Sequence, residues 1–450
     1  MKQYQYDDKQ ITKGKFLVGS LPYFYHNPIN FMHEASRIGD VVKTKFGHLN
    51  MVFVFHPEAF ESILQVKNKH YTKSQFNDPI KHVLGLGLLS SEGKMWARDR
   101  RIIAPIFQNT MLHNHFEVMK DITAQKLEEW KNLPTDRFHN LAYDFMDYTI
   151  KVIAKAMFSA YEPEHIVALA EEMPFLLGHV EYWNSKVIKP PLYLPTAHNL
   201  KLKKSIKKIS RISDYYLDRQ KKDPESYNNL LSGMLKARDE NGKPLPDAEI
   251  RNQILTFLIA GHETTAISMG WALYHLCLFP DHLVKVRAEL EQFPDLLNVS
   301  LDDLEKMDCL EEFIMETMRL FPPSWIIDRA CIEDVDLMGV KINKGDVMML
   351  SAFSLHHDPR FWDKPELFNP DRFNKKDRTN EHYNYSYVPF GVGPRSCVAR
   401  KFAMAELKLS MAVLIRNFDF ELATYPEVEK LPMLTLRAKN GVWVKLRKRA

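Results

Sequence analysis

Between Pro246 and Pro280 the chain carries one long helical pattern, Ala248 to Phe279, and this stretch limits the possible folds more than any other. Its 32 residues would span roughly 48 Å at 1.5 Å per residue. Helices of globular proteins average about 11 to 12 residues, so this one would cross the whole molecule. At its middle stands Ala260-Gly261-His262-Glu263-Thr264-Thr265. A glycine, an acid and two β-branched hydroxyl residues weaken a helix or bring polar groups that need partners there. Local disagreement of this kind marks a functional site. It is equally the pattern of threonines that bond back to carbonyls one turn earlier and bend the helix.

A second stretch is built to hold one sulfur still. In Phe390-Gly391-Val392-Gly393-Pro394-Arg395-Ser396-Cys397, the glycines permit tight or positive-φ turns and Pro394 fixes another dihedral. After it Val398, Phe402, Ala405, Leu409 and Val413 recur at helical spacing down to Phe418. Cys397 thus sits where a rigid loop meets a helix N-terminus, a setting that favours thiolate over thiol. A thiolate there is a metal ligand or a nucleophile, whereas the commoner fate of a lone cysteine is to be a small buried hydrophobe. No Cys-x-x-Cys occurs, so a multi-cysteine zinc or iron–sulfur site has little support.

Composition narrows the class further. The 61 basic and 57 acidic residues leave a net charge of +4, which calls for no nucleic-acid partner. The cysteines Cys277, Cys309, Cys331 and Cys397 are too scattered for a disulfide framework and suit a reducing compartment. Met1 to Asp8 holds no apolar leader core, and no window reaches 18 consecutive apolar residues. These features predict a cytoplasmic protein without an integral membrane anchor.

Along the chain, Asn27-Pro28 predicts a helix start and Gly39 its stop. Strands are expected at Val41–Phe46 and Met51–Phe55, then a helix from Pro57, then a loop from Lys67 to Gly93 that includes Gly85-Leu86-Gly87-Leu88. Trp96 and Arg100, four apart on a helix, share a face, with Arg98 and Arg101 pointing elsewhere. An indole N–H and a guanidinium converging on one spot suit a carboxylate, and a solvated basic helix with one buried tryptophan gives the same pattern. Helices dominate from Thr110 to Leu235, with turns near Pro134, Pro163 and Lys189–Pro195. The helix after that last turn carries Lys201, Lys203, Lys204, Lys207, Lys208 and Arg211, either a membrane- or partner-facing surface or a solvated face. Asp239 to Pro244 reads as a surface linker. Glu316 and Arg319 stand three apart on a helix that Pro322-Pro323 ends, a spacing that usually makes an exposed pair of little worth. Hairpins are expected through Asn343–Asp346, joining Val335 to Leu350, and through Asn440-Gly441, joining Leu434–Ala438 to Val442–Leu446.

Taken together these motifs resemble those of the cytochrome P-450 superfamily. Phe390, Gly393, Arg395 and Cys397 fall on its cysteine-ligand pattern Phe-x-x-Gly-x-Arg-x-Cys-x-Gly, from which Ala399 departs. Ala260 to Thr265 is similar to its oxygen-activation motif, Trp96-x-x-x-Arg100 to its propionate-binding helix, and Glu316-x-x-Arg319 to its Glu-x-x-Arg motif. Pro365 to Phe373 fits the segment that brings a third structural partner, Arg372. The resemblance spans nearly the whole chain. It implies a single haem domain over residues 1–450, mainly α with a small β-rich side, with no fused reductase, overriding the two or three domains that length alone suggests.

By the same resemblance Cys397 is the axial thiolate of a haem b. Trp96, Arg100, Arg329 and Arg395 hold its propionates, and Phe390, Gly391 and Ala260 contact it. Glu263 and Thr264 organise water and deliver protons for O2 activation, and Glu316, Arg319 and Arg372 are structural. The implied activity is a monooxygenase that hydroxylates or epoxidises a hydrophobic small molecule, a fatty acid, terpenoid or steroid. Its pocket is expected around Leu84, Leu86, Leu88, Ile259, Trp325, Ile326, Ile327, Met433 and Leu434, each of which suits an ordinary core equally well. Electrons are expected ultimately from NAD(P)H through a separate ferredoxin, flavodoxin or flavin reductase, docking at Arg98, Arg101, Arg400 and Lys401. The rival readings are a peroxide-driven peroxygenase, which the Glu263-Thr264 pair disfavours, and a non-catalytic haem protein that binds a ligand or gas.

Overall fold

The computed structural model describes residues 6–7, 10–11, 18–186, 189–374 and 385–449, so most of Met1 to Asp8 lies outside them. The first helices are α1 (Leu21–His26), α2 (Pro28–Ser36), α3 (Pro57–Glu61), α4 (Asp78–Leu84), α5 (Gly93–Ile103), α6 (Asn109–Lys131), α7 (Leu141–Phe158) and α8 (Pro163–Asn184). There follow α9 (Ala197–Lys221), α10 (Leu230–Lys236), α11 (Asp247–Leu278), α12 (Pro280–Leu290), α13 (Leu301–Glu305), α14 (Asp308–Leu320), α15 (Ala352–His356) and α16 (Arg400–Asn417). The fold is mainly helical with a small β portion, as the sequence predicts, and α11 runs for 32 residues from Pro246 at its N-cap to Pro280.

Backbone packing divides the chain into two units, each assembled from three separate stretches. The first comprises residues 1–76, 315–397 and 431–437. Its sheet contains β1 (Tyr6–Asp7), β2 (Gln10–Ile11), β3 (Val41–Phe46), β4 (Leu49–Val54), β5 (Tyr71–Thr72), β7 (Ile327–Cys331) and β10 (Val347–Leu350), in the order β1-β2-β3-β4-β10-β7-β5. Strands β3 and β4 are antiparallel with Val41 opposite Val54, and β4 and β10 are parallel with Met51 opposite Val347. The period of two sorts β4 between two cores. Val52 and Val54 face Phe60, Ile63 and Leu350 on one side, and Met51, Phe53 and Phe55 face Phe31, Met32 and Met349 on the other. Phe53 lies 5.2 Å from Phe31 and 5.9 Å from Phe46, between ring centroids, at the centre of an aromatic cluster. Helix α2 begins as expected, with the Asn27 side chain accepting from the Asn30 amide and Pro28 in the first turn.

The second unit comprises residues 77–314, 398–430 and 438–450. Here α7, α9 and α16 pack around α11. Burial on almost every side explains why α11 lacks a polar stripe. Gly261 suits a close approach of α7, since a Cβ there would meet the Ile153 side chain at 3.3 Å. Within this unit β11 (Phe418–Leu422), β14 (Trp443–Lys448) and β6 (His139–Asn140) form a small antiparallel sheet with β14 in the middle. Among the described residues no helix is long and apolar enough to cross a membrane.

Several local expectations fail. Helix α2 ends at Arg37, its C-cap, and not at Gly39. The expected loop from Lys67 to Gly93 contains α4, whose buried Ile80, Val83 and Leu84 supply a helical face too short to stand out as a period. Residues 335–350 do not make one hairpin. A tight turn at Met338-Gly339 pairs β8 (Val335–Leu337) with β9 (Val340–Ile342), leaving β10 to β4 and β7. The hairpin at Asn440-Gly441 does not form either. Both edges of β14 are taken, by β11 and by β6, while β13 (Leu436–Ala438) pairs with β12 (Lys430–Pro432).

Phe53→Ala should destabilise the protein by about 3–5 kcal/mol, because the site is closed on all sides and cannot collapse. A urea unfolding series that moved the midpoint no further than an exposed Phe→Ala control would contradict that packing.

Candidate active site

In the first unit the turn that carries Cys397 is fixed by its own backbone. Gly391 and Gly393 have φ of +66° and +72°, and a Cβ on Gly393 would fall 2.1 Å from the Leu64 carbonyl oxygen. Only glycine fits there. The Gly391 N–H donates to Val388 O at 3.0 Å, Ser396 N–H to Gly393 O at 3.0 Å and Cys397 N–H to Phe390 O at 2.8 Å. Cys397 is exposed, three residues ahead of α16, whereas Cys331 is buried and its thiol donates to Glu333 O. Burial pushes the thiols of Cys277 and Cys309 up to about 12 and about 11. Those two therefore stay protonated near neutrality. Arg395 occupies the 3₁₀ turn Gly393–Arg395, and Arg329 lies on β7 opposite Met348, so both arginines belong to the unit of Cys397.

The same unit holds a buried ion cluster. Arg319 donates to Glu316 twice, Nε to Oε2 at 2.7 Å and Nη2 to Oε1 at 2.8 Å, and neither side chain has exposed surface. Its remaining donors reach His356 O at 2.6 Å and Pro365 O at 2.8 Å, and the Trp362 ring lies 5.2 Å from the guanidinium. Arg372 approaches Glu316 Oε1 at 3.4 Å, and the Asn369 N–H donates to the same oxygen at 2.9 Å. Glu316, Arg319 and Arg372 are thus brought together away from water. Sequence reasoning did not single out His356, whose ring completes this cluster from α15. Its Nδ1 meets Arg319 O at 3.0 Å and its Nε2 meets the Val388 N–H at 2.9 Å. Complete burial, then the positive field of His357 and Arg319, holds its pKa well below the usual histidine value.

In the second unit the centre of α11 is polar and enclosed. Thr264 Oγ1 donates to Ala260 O at 2.8 Å, so the bend-forming back-bond is present at this turn. From α7, Thr149 Oγ1 reaches His262 O at 2.8 Å. Glu263 is buried and Thr264 is half-buried. On α16 the carboxyl of Glu406 lies beside Thr265, and complete burial raises its pKa well above the ordinary value. Trp96 and Arg100 are both half-buried on α5. Arg98 is tied to Asp99 at 2.7 Å and to Glu249, and Arg101 to Glu240 at 2.8 Å. Arg98 and Arg101, two of the four residues expected to face a redox partner, thus each hold an acidic neighbour.

The expected pocket residues fall in varied settings. Leu84, Leu88 and Ile259 are buried in the second unit, and the Leu88 N–H donates to Gln253 of α11 at 2.8 Å, whereas Leu86 is exposed. In the first unit Trp325 belongs to the apolar core with Phe353 and Val347, and its indole donates to Met433 O at 2.7 Å. Ile326 packs on that same core, Ile327 on the opposite face of the sheet, Met433 is half-buried and Leu434 is exposed.

Comparison with known proteins places these features in context. The family described as Cytochrome P450 matches residues 10–444. The chain is similar to human cytochrome P450 4V2, with 30% identity over 460 residues covering 95% of this chain and 85% of that protein. It is 29% identical over 439 residues to a putative cytochrome P450 132 of Mycobacterium tuberculosis, covering 92% and 91% of the two chains. It is also 28% identical over 427 residues to mouse leukotriene-B4 omega-hydroxylase 3, covering 88% and 80%.

Arg319→Met should cost about 3–5 kcal/mol, because it strands the buried Glu316 carboxylate, and Arg319→Met/Glu316→Leu should recover much of that in a double-mutant cycle of apparent Tm. The depressed pKa of His356 also sets a pH dependence. The unfolded state takes up the proton first, so this contribution is complete above about pH 6.5 and declines below it, by up to about 1.4 kcal/mol per pH unit. His356→Gln, which cannot titrate, should make the fall in apparent Tm between pH 7 and 5.5 shallower; an unchanged acid limb would exclude that assignment.

Proposed function

The chain belongs to the cytochrome P450 family and is a monooxygenase, and from that premise we propose that Cys397 gives the haem its thiolate ligand and that the substrate is a long aliphatic chain. The observation that supports the ligand assignment is the Cys397 turn itself, in which two positive-φ glycines and a spent amide hold an exposed sulfur at a fixed place. The donor set suits the group. Cys397 offers a soft sulfur for iron, and Arg329 and Arg395 in the same unit offer cations for propionate carboxylates, a role in which we also read Trp96 and Arg100. When bound, haem with a thiolate ligand supplies the oxidising chemistry, which electron donation from sulfur steers toward O–O cleavage.

The remaining work falls to side chains of this protein. The Thr264 hydroxyl, fixed by its bond to Ala260 O, keeps lone pairs with which to accept one proton as it releases another, and Glu263 beside it in the sequence is the acid that replenishes it. Thr149 restrains the carbonyl of His262, so the turn that carries both groups is braced from α7. Phe390 and Gly391 form the turn that keeps the sulfur in place, and Ala260 leaves the centre of α11 low enough for a ligand to approach. Leu84, Leu88 and Ile259 are buried apolar residues of the unit that holds Thr264, and we read them as the part of the lining suited to hydrocarbon.

A fatty acid oxidised toward the far end of its chain is the substrate class we favour, supported by the similarity to the omega-hydroxylase. Terpenoids and steroids are the next classes to screen. Electrons are read as coming from NAD(P)H through a ferredoxin, flavodoxin or flavin reductase. The residues 1–450 are read as one haem domain acting in the cytoplasm, for which the scattered cysteines speak.

Dithionite-reduced protein exposed to carbon monoxide should give a strongly red-shifted Soret band that Cys397→Ala abolishes. Thr264→Ala should leave this band in place but divert NAD(P)H consumption from product to peroxide, lowering coupling by about 10²-fold or less. A histidine-like spectrum in fresh wild-type protein would remove the ligand assignment, and unchanged coupling in Thr264→Ala would remove the proton-delivery role.

A further inference from the structure

His356 ends α15 with no exposed surface, and both of its ring nitrogens face backbone groups distant in sequence. The Arg319 carbonyl oxygen, 3.0 Å from Nδ1, can only accept, so Nδ1 carries the ring proton. The Val388 amide, 2.9 Å from Nε2, can only donate, so Nε2 carries the lone pair. One neutral tautomer satisfies both contacts. Arg319 answers with a bond from Nη1 to His356 O at 2.6 Å, so α14 and α15 hold each other at two points.

The Val388 end of this contact leads directly to the turn of Cys397. Val388 is buried, and its carbonyl accepts from Gly391 N–H at 3.0 Å. Phe390, the residue between that bond and the glycine, supplies the carbonyl that takes the Cys397 N–H at 2.8 Å. One residue before Val388, the Tyr387 hydroxyl donates to Met315 O of α14 at 2.9 Å. The segment that enters the turn is therefore pinned to α14 at two successive residues, once directly through Tyr387 and once through the imidazole. An amide left buried without an acceptor is costly, so the segment would shift to satisfy it if the imidazole were lost.

We propose that His356 is a positioning residue for the thiolate turn, a neutral acceptor that ties the Glu316–Arg319 cluster to the backbone from which Cys397 is presented. The inference rests on Cys397 as the ligand for its catalytic meaning, but its structural content stands apart from that reading. Its chemistry is specific. An acceptor is required at the Nε2 position, a donor at the Nδ1 position serves only the Arg319 side, and an apolar ring of the same size serves neither.

The test compares His356→Gln, whose side-chain oxygen reaches the Nε2 position, with His356→Asn, whose amide reaches only the Nδ1 position. Hydrogen–deuterium exchange is measured on the holoenzyme across residues 385–397. The Asn variant should exchange there at least about tenfold faster than wild type while the Gln variant stays within about threefold. The carbonmonoxy-ferrous spectrum should follow the same order, with the Asn variant losing part of the red-shifted band to the unshifted form and the Gln variant keeping it. Equal exchange in the two variants, or no change in either, would overturn the proposal. Should neither variant fold, ¹⁵N-histidine spectra of wild type decide. A neutral ring protonated on Nδ1 at pH 7 supports it, and an Nε2-protonated ring or an imidazolium refutes it. A wild-type protein with no red-shifted band would remove the Cys397 assignment, and the exchange comparison would still decide the role of His356.

Discussion

A carboxylate and a guanidinium with no exposed surface, Glu316 and Arg319, impose the strictest condition on the unit that carries Cys397. Taking two charges out of water costs several kcal/mol per ion, and their attraction offsets this only when every remaining donor and lone pair finds a partner. Arg319 meets that condition by drawing in the carbonyls of His356, Pro365 and Leu367, and Glu316 by drawing in Arg372 and the Asn369 amide. The irregular segment from 357 to 373 has little regular structure of its own, and its path follows from these obligations. An all-apolar core of the same volume would hold α14 as firmly but would give that segment no reason to take one path over another.

The centre of α11 obeys a different logic. A helix buried on nearly all sides is stabilised by packing, so it tolerates at one turn a glycine, a buried acid and a threonine that bonds back to the helix. Gly261 lets α7 come close, and the same proximity lets Thr149 reach the His262 carbonyl. The packing that compensates for weak helix propensity also carries the polar group that braces the turn. From α16 Glu406 stands next to Thr265, and complete burial raises its pKa well above the ordinary carboxylate value.

Features whose causes are local were legible in the sequence. Proline at both ends and an uninterrupted helical pattern gave α11 its limits, the Asn27-Pro28 cap located α2, and the paired glycines before Cys397 announced a turn with positive φ. What depends on distant partners was not. Asn440-Gly441 correctly marks a change of direction, but turn chemistry cannot say that both edges of β14 are already claimed. The three-residue spacing of Glu316 and Arg319 is the same for an exposed pair as for a buried one, and only the resemblance to a family separated the two. His356 gave no signal at all, because its partners are backbone groups 37 and 32 residues away, and backbone groups have no identity in a sequence. The short helix α4 was hidden for a third reason, since seven residues are too few for a period to show.

The parallel pairing of β4 with β10 has a consequence for how such a chain can vary. These strands are separated by almost 300 positions of sequence, yet Val52 and Val54 share one core with Met348 and Leu350. A genetic crossover between two related genes at any codon from 55 to 346 therefore joins a β4 from one parent to a β10 from the other, and their side chains must interlock on first meeting. A chain interleaved in this way is poorly suited to inheritance by exchange of blocks. Its sheet is left to diverge by paired substitutions at facing positions, slowly and in step, while loops that end and begin within one unit are free to be replaced whole.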